Sequence, residues 1–242
     1  MNNRTQPNEA AHASAVREMF AGIAGRYDLL NHVLSLNIDK RWRRKVSAEL
    51  RNILEDRDSV VLDVACGTGD LALELNKNSQ AKIIGTDFCR PMLTIARSKS
   101  ADEKHEIPYI EGDALSLPFA DERFNAVTIA FGLRNLANVP AGLAELRRVL
   151  KPGGRLAVLE FSAPVIPGFG RLFNFYFSNI LPRIGGAVSG SRGAYEYLPE
   201  SVSRFPNQKT LARLIEQTGF NEVEYRNISG GIAALHLGTK TI

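Results

Sequence analysis

Apolar positions along the chain follow two alternating periods from residue 59 onward. Short apolar runs of strand length are separated by segments in which apolar residues recur every three or four positions. This alternation predicts a parallel sheet with helices on both faces. The predicted strands are 60–65, 82–87, 109–111, 124–131, 155–160, 220–225 and 232–237. The predicted helices between them are 70–77, 91–98, 143–150 and 207–218.

The ends of this alternation complete the predicted architecture. Residues 1–55 form a helical cap, with a loose tail over 1–12, a helix over 10–24 and a second around 42–53. That second helix carries basic residues on or near its solvent side, namely Arg41, Arg43, Arg44 and Lys45. The pattern lapses over 162–206, which we interpret as an inserted, partly helical lid, because structureless loops of that length are uncommon.

A short link separates the last two predicted strands, and it contains Gly230 and Gly231. We expect these strands to form a hairpin, so that one of them runs antiparallel to the rest. The turn predicted at 151–154 connects a helix to the fifth strand. The fold class predicted for residues 1–242 is therefore a single α/β domain with a seven-stranded, mostly parallel sheet.

Composition excludes several classes of protein. The 242 residues are 44% apolar and 23% charged, which is ordinary for a globular domain and excludes whole-chain disorder or a fibrous fold. Cys66 and Cys89 are too few for a disulfide framework or a four-cysteine zinc site, so we expect a reducing, cytoplasmic setting and no metal. The polar N-terminus lacks the features of a secretion signal, and 18 consecutive apolar residues occur nowhere.

A glycine turn follows the first predicted strand. The segment Asp63–Asp70 runs from that strand through Gly67 and Gly69 into a helix. Glycine permits positive φ and close approach of a ligand, and the N-terminus of a helix offers free N–H groups. The segment also matches the GxGxxA pattern of dinucleotide sites, which is a weak signal by itself.

Carboxylates at the ends of the next two strands accompany this turn. Asp87 ends the second strand, about 20 residues past the turn, where an acid commonly accepts ribose hydroxyls, and Asp113 follows the third. A dinucleotide and S-adenosylmethionine both suit such a half-site. The pair Asp63 and Asp70 would repel a pyrophosphate but attract a sulfonium and an ammonium, which favours S-adenosylmethionine. The alternative is that these acids only cap helices and turns.

Three longer motifs resemble the menaquinone/ubiquinone biosynthesis C-methyltransferase family within the class I S-adenosylmethionine-dependent methyltransferases. The resemblance covers about Val16 to Gly238. Its motifs are Tyr27–Asn31 with Ser35 and Trp42, then Phe131–Asn135, and then Arg148–Arg155 continuing through Glu160–Ser162. Asp39 departs from the pattern, because the family often has histidine there.

The resemblance implies a Rossmann-like fold, S-adenosylmethionine as cofactor and a prenylated quinol as substrate. The family's cofactor contacts carry over to Thr68, Asp87, Asp113 and Ala114, which join Asp63, Gly67 and Gly69 in the expected cofactor site. Arg134 is the candidate cation beside an ionising quinol hydroxyl, and Asn135 the candidate partner of the second ring oxygen. The structural alternatives are a surface salt bridge for Arg134 and a helix cap for Asn135. His32, Tyr27 and Asp28 are candidate bases.

Several alternatives stay open at this level. The substrate is expected to be demethylmenaquinol, with the benzoquinol of ubiquinone synthesis as an alternative or an addition. More distant alternatives are a small-molecule or RNA methyltransferase and a non-catalytic binding module. The net charge of +4, without a basic strip interleaved with aromatics, argues against nucleic acid. The aromatic residues of the lid, such as Phe173 and Phe177, suit either a homodimer face or an entrance for a prenyl tail at the inner face of the membrane.

Overall fold

The computed structural model describes residues 7–28, 37–77, 79–166 and 192–241. Helices in the described residues are α1 Pro7–Ile23, α2 Ile38–Glu49, α3 Arg51–Leu54, α4 Asp70–Asn76, α5 Arg90–Asp102, α6 Val139–Val149, α7 Arg192–Arg204 and α8 Gln208–Gln217. Strands are β1 Val60–Val64, β2 Lys82–Asp87, β3 Tyr109–Glu111, β4 Phe124–Ala130, β5 Leu150–Phe161, β6 Phe220–Ile228 and β7 Ala233–Lys240. Short 3₁₀ turns lie at Ala24–Arg26, Leu133–Asn135 and Ser229–Gly231.

The described strands form one sheet in the order β3-β2-β1-β4-β5-β7-β6. β7 pairs antiparallel with both β5 and β6, whereas the pairs among β1 to β5 are parallel. This confirms the predicted class and the closing hairpin. Strand order reverses between β1 and β4, and ligands of such sheets bind at the carboxyl ends of the strands beside this reversal.

Apolar burial on both faces of the sheet explains why these strands form. Val61 and Leu62 of β1 are fully buried on opposite faces, against helices α2 and α4 on one side and helix α6 on the other. Helix α8 covers the hairpin, and Gly219 ends it with a φ of 93°. That conformation is one that glycine adopts without strain. Across the described ranges, no helix has both the length and the apolar composition of a membrane span.

Three details differ from the prediction. The loose tail predicted over 1–12 is wrong from Pro7 onward, because α1 begins there and is held by a hydrogen bond from Asn138 to Glu9 of 3.2 Å. The turn predicted at 151–154 is a bulge within β5, since Phe124 pairs with Leu150 and Ala126 with Arg155. Arg43 is buried rather than solvent-facing, whereas Arg41, Arg44 and Lys45 are exposed.

Candidate active site

A cleft lies at the carboxyl edge of the sheet, where β1, β2, β3 and β4 end. It encloses about 740 Å³ of space, including open solvent at its mouth. Five of the predicted site residues line it, namely Gly67, Asp87, Asp113, Ala114 and Asn135. Ala13 and Phe20 of α1 also line this cleft, so the N-terminal helix forms part of its wall.

The glycine turn brings backbone to this cleft. Gly67 and Gly69 have φ of 55° and 83°, and Gly69 N–H donates to the carbonyl of Cys66 over 2.9 Å. A Cβ on Gly69 would lie 2.6 Å from Tyr109 Oη, so that position must stay glycine for the turn to pack. Gly67 lines the cleft whereas Gly69 supports the turn from behind.

Asp87 connects the glycine turn to the end of β2. Its carboxylate accepts the N–H of Gly67 over 2.9 Å and that of Cys89 over 2.8 Å. Asp87 is 6% exposed, and this burial raises the pKa of its carboxyl to about 6. Each carboxylate oxygen has lone pairs beyond the one that these N–H groups use, so Asp87 can still accept two hydroxyls.

Asp63 lies behind the turn instead of on the wall of the cleft. It is 1% exposed and accepts the Thr128 hydroxyl over 2.8 Å, while its Oδ2 is buried with no hydrogen-bond partner among the described residues. Burial raises the pKa of this carboxyl to about 7. Its predicted contact with the cofactor stays a prediction, which the orphaned oxygen supports.

Asp113 and Ala114 shape the loop after β3. Asp113 accepts the N–H of Leu115 over 2.9 Å through its side chain and that of Ser116 over 2.9 Å through its carbonyl. Ala114 is 7% exposed, and the two residues lie together in the cleft as the sequence predicted. Phe88 and Met92 add apolar surface, which suits the flat face of a nucleobase.

Thr68 takes part in a partly buried network of hydrogen bonds and ion pairs beside the turn. It is 2% exposed and donates its hydroxyl to Asp28, which also accepts from Lys99 over 2.8 Å. Thr68 is outside the cleft wall, so the contact that the resemblance implies for it stays a prediction. Asp28, a candidate base, is occupied by these two donors. His32 lies outside the described residues, whereas the third candidate, Tyr27, lines the cleft.

The same network continues through Asp70 into α2. Lys99 also pairs with Asp70, which pairs with Arg43 over 3.0 Å, and Arg43 pairs with Asp39 over 2.6 Å. Asp39, the position at which this chain departs from its family's histidine, therefore serves as the buried partner of Arg43. The chain of charges fixes helices α2 and α5 to the N-terminus of α4, directly behind the glycine turn.

Arg134 lies on the 3₁₀ turn after β4, where it forms a buried ion pair and is not among the residues that line the cleft. Its Nη1 lies 2.8 Å from Glu160 Oε1, and the two side chains are 6% and 1% exposed. Nη1 also donates to the carbonyl of Phe131 over 2.5 Å, and the buried Nε has no hydrogen-bond partner among the described residues. The alternative of a surface salt bridge for Arg134 is therefore wrong, because its ion pair with Glu160 is buried. Sequence reasoning missed Glu160 as its partner.

Asn135 is not the helix cap, because Asn138 caps α6 by accepting the N–H of Ala141. The Asn135 amide donates to the carbonyl of Phe131 over 3.2 Å and accepts the Tyr197 hydroxyl over 3.1 Å. His12 of α1 lies 3.3 Å from the carbonyl oxygen of Asn135. Helices α1 and α7 thus meet at this turn.

Known structures share this architecture. The S-adenosylmethionine-dependent methyltransferase of Thermotoga maritima, a possible histamine N-methyltransferase, aligns with a TM-score of 0.64 over 93% of this chain and 99% of that one, at 19% identity. The arrangement of strands, glycine turn and acid-lined cleft is that of a class I methyltransferase.

Sequence comparison identifies the family. The model of the ubiE/COQ5 methyltransferase family matches residues 6–240, and the chain belongs to that family. Demethylmenaquinone methyltransferase of Deinococcus radiodurans is 52% identical over 93% of this chain and 92% of its own length. The ubiquinone/menaquinone biosynthesis C-methyltransferase UbiE of Citrifermentans bemidjiense is 44% identical over 93% of this chain and 96% of its own. The enzyme is thus an S-adenosylmethionine-dependent methyltransferase.

The residues present suit that cofactor. A buried carboxylate with spare lone pairs, Asp87, lies at one end of the cleft for ribose hydroxyls. The buried carboxyl of Asp63 lies behind the turn, and a cationic ligand nearby would favour its ionised form, because burial otherwise raises its pKa to about 7. The apolar side chains at Phe88 and Met92 flank the loop of Asp113.

Proposed function

We propose that this enzyme methylates a ring carbon of demethylmenaquinol in menaquinone synthesis. The observation that carries the proposal is the 52% identity to a protein named demethylmenaquinone methyltransferase over nearly the full length of both chains. The cleft supports it, since its lining includes Gly67 of the glycine turn as well as Phe131 and Asn135 after β4.

The proposed cofactor residues divide into two layers. Gly67, Asp87, Asp113 and Ala114 contact the cofactor from the cleft wall. Asp63, Thr68 and Gly69 lie behind the glycine turn, where they stabilise its conformation and determine the charge near it. When bound, S-adenosylmethionine supplies an electrophilic methyl group on a sulfonium that is a good leaving group.

The protein's task is to make the ring carbon of the quinol nucleophilic. A phenolic hydroxyl has a pKa of about 10, so ionising it at pH 7 costs about 4 kcal/mol. Arg134 would offset part of this cost as a fixed cation, and Asn135 would donate to a ring oxygen. Glu160 neutralises much of the Arg134 charge, which moderates the field at the substrate. Tyr27 is the candidate base that lines the cleft.

The assay that tests the proposal compares quinols and quinones of matched tail length. We expect turnover with reduced demethylmenaquinone and none with its oxidised form, because the quinone ring carries no ionisable hydroxyl and is electron-poor. The corresponding benzoquinol serves as the second acceptor, since one relative carries ubiquinone and menaquinone in its name. Turnover of neither quinol under strictly anaerobic, reducing conditions would overturn the proposal.

We also propose that the enzyme works at an anionic membrane surface, where a prenylated quinol resides. Exposed basic side chains follow one another along helix α2, at Lys40, Arg41, Arg44 and Lys45. The buried face of that helix carries Trp42, whose ring packs against Phe131 of the cleft. Basic segments of this kind are attracted to anionic lipid. The apolar residues of the lid, including Phe173 and Phe177, lie outside the described residues.

Vesicle sedimentation tests this contact. Neutralising the four exposed basic residues of α2 to glutamine should reduce binding to anionic vesicles at least tenfold, and salt should reduce binding by the unchanged protein. The matched control neutralises four exposed basic residues elsewhere, namely Lys82, Lys104, Lys209 and Arg213. Equal loss in both variants would contradict a local surface. If a Phe173→Ser/Phe177→Ser variant binds vesicles more weakly, these residues form an entrance for the prenyl tail. If the variant instead loses self-association, they form a homodimer interface.

A further inference from the structure

Tyr197 joins the candidate catalytic turn from a helix that is distant in sequence. It lies on α7, 62 residues after Asn135, and donates its hydroxyl to Asn135 Oδ1 over 3.1 Å. The same amide donates through Nδ2 to the carbonyl of Phe131 over 3.2 Å. Asn135 lines the cleft, and the turn that carries it also holds Arg134.

The hydrogen bonds of the amide show what the tyrosine contributes. A carboxamide has two N–H donors and an oxygen with two lone pairs. Phe131 takes one N–H and Tyr197 takes one lone pair, which leaves one N–H and one lone pair for a ligand in the cleft. One hydrogen bond, to Phe131, would let the amide rotate about it, whereas a second hydrogen bond on its oxygen fixes the plane of the amide.

The surroundings of Tyr197 keep its hydroxyl a donor. Burial raises the pKa of the phenol, and this outweighs the opposite influence of the nearby Arg134. The hydroxyl therefore stays protonated at neutral pH and donates to the amide oxygen. The backbone carbonyl of Asn135 also lies 3.3 Å from a ring nitrogen of His12 on α1, so the turn contacts both α1 and α7.

We propose that Tyr197 is a positioning residue for the methyl acceptor, which holds the Asn135 amide so that its remaining N–H meets a ring oxygen of the quinol. This inference rests on the proposed function, because it assigns Asn135 to that oxygen. Tyr197 acts through Asn135 and does not touch the reacting carbon. Tyr197 donates its hydroxyl to Asn135 and not to the proposed cofactor residues, so we expect cofactor binding to be independent of the tyrosine.

The test is a double-mutant cycle on Tyr197→Phe and Asn135→Ala. Tyr197→Phe removes one oxygen and should lower kcat/KM for the quinol about tenfold, which corresponds to the loss of one hydrogen bond. The dissociation constant for S-adenosylmethionine should change less than twofold. In the Asn135→Ala background the same substitution should have no further effect on kcat/KM. Tyr225→Phe is the matched control, since Tyr225 lies on β6 and is 40% exposed.

A binding measurement separates this inference from the proposed function. Trp42 is the sole tryptophan and packs against Phe131, so its fluorescence should be quenched by a bound naphthoquinol. Failure of methyl transfer by the unchanged enzyme would overturn the proposed function, while weaker quinol binding in Tyr197→Phe alone would still support the positioning role. Unchanged kcat/KM and quinol binding in Tyr197→Phe, or an equal loss with and without Asn135, would overturn the inference.

Discussion

Replacing Asp87 with alanine is expected to weaken S-adenosylmethionine binding at least a hundredfold. Hydrogen bonds to a charged group contribute about 1.5–3 kcal/mol each, and the proposed contact includes two ribose hydroxyls. The substitution also removes the acceptor for the N–H groups of Gly67 and Cys89, so the glycine turn loses its tie to β2. Asp87→Asn should have a smaller effect, because it keeps one acceptor.

Calorimetry with S-adenosylmethionine and S-adenosylhomocysteine checks this expectation. Asp102→Ala, at the exposed end of α5, is the control for the loss of one carboxylate. Denaturant unfolding of each variant shows whether the fold persists. Cofactor affinity within threefold of the unchanged enzyme in a folded Asp87→Ala variant would remove Asp87 from the cofactor site.

The raised pKa of Asp87 gives this site a pH dependence. Because burial raises that pKa to about 6, the carboxyl is ionised at pH 7.5 and gains a proton as the pH falls through 6. A protonated carboxyl is a poorer acceptor, so cofactor affinity should fall between pH 7.5 and 5.5. Asp63, whose pKa burial raises to about 7, titrates in the same range, so Asp87→Asn should reduce that change and leave the part due to Asp63. Folding responds in the opposite direction, since the folded chain binds this proton more tightly and is stabilised as the pH falls from about 6 toward 4.

Replacing Arg134 with alanine is expected to lower turnover at least a hundredfold with little change in cofactor affinity. The expectation follows from its proposed task, which is to offset part of the cost of ionising a quinol hydroxyl. The substitution also leaves Glu160 buried without its cation, which typically costs about 3–5 kcal/mol of the free energy of unfolding. Activity must therefore be compared at a temperature where the variant is folded.

Glu160→Gln separates catalysis from stability. It removes the carboxylate but keeps the guanidinium, so its loss of stability should approach that of Arg134→Ala. If Arg134 acts as a cation toward the substrate, Glu160→Gln should retain far more turnover than Arg134→Ala. Steady-state kinetics and unfolding curves on both variants decide this, and an equal loss of turnover would make the pair purely structural.

Local pattern was sufficient for much of the fold. The apolar runs of β1 and β4 are buried on both faces, so each run predicts a strand without knowledge of the strands that pair with it. Asp87 could be placed because a carboxylate about 20 residues past a glycine turn ends the adjacent strand in such sheets. The buried strands and the position of Asp87 both depend on backbone conformation, which residues adjacent in sequence largely determine.

Side-chain partners distant in sequence could not be predicted in this way. Arg43 was expected near solvent because arginine usually is, although Asp39 four residues earlier on the stripe of Trp42 and Val46 was a signal of a buried pair. The second carboxylate that pairs with the buried Arg43, that of Asp70, lies on another helix.

The 3₁₀ turn that carries Arg134 and Asn135 shows the same limit of sequence reasoning. Arg134 and Asn135 were located by motif, but their partners Glu160 and Tyr197 come from β5 and α7 and meet them only in the folded chain. The pairing changes how Arg134 is understood, from a free cation to one whose charge is shared with a buried carboxylate.

Transfer of an isotopically labelled methyl group is the measurement that tests the account most directly. The enzyme, S-adenosylmethionine labelled with carbon-13 in its methyl group and reduced demethylmenaquinone are incubated anaerobically, and the extracted product is examined by mass spectrometry and NMR. We predict one labelled methyl bonded to a ring carbon, at the chemical shift of an aryl methyl. A labelled methoxy group, or no label in the quinone fraction while the cofactor still binds, would contradict it.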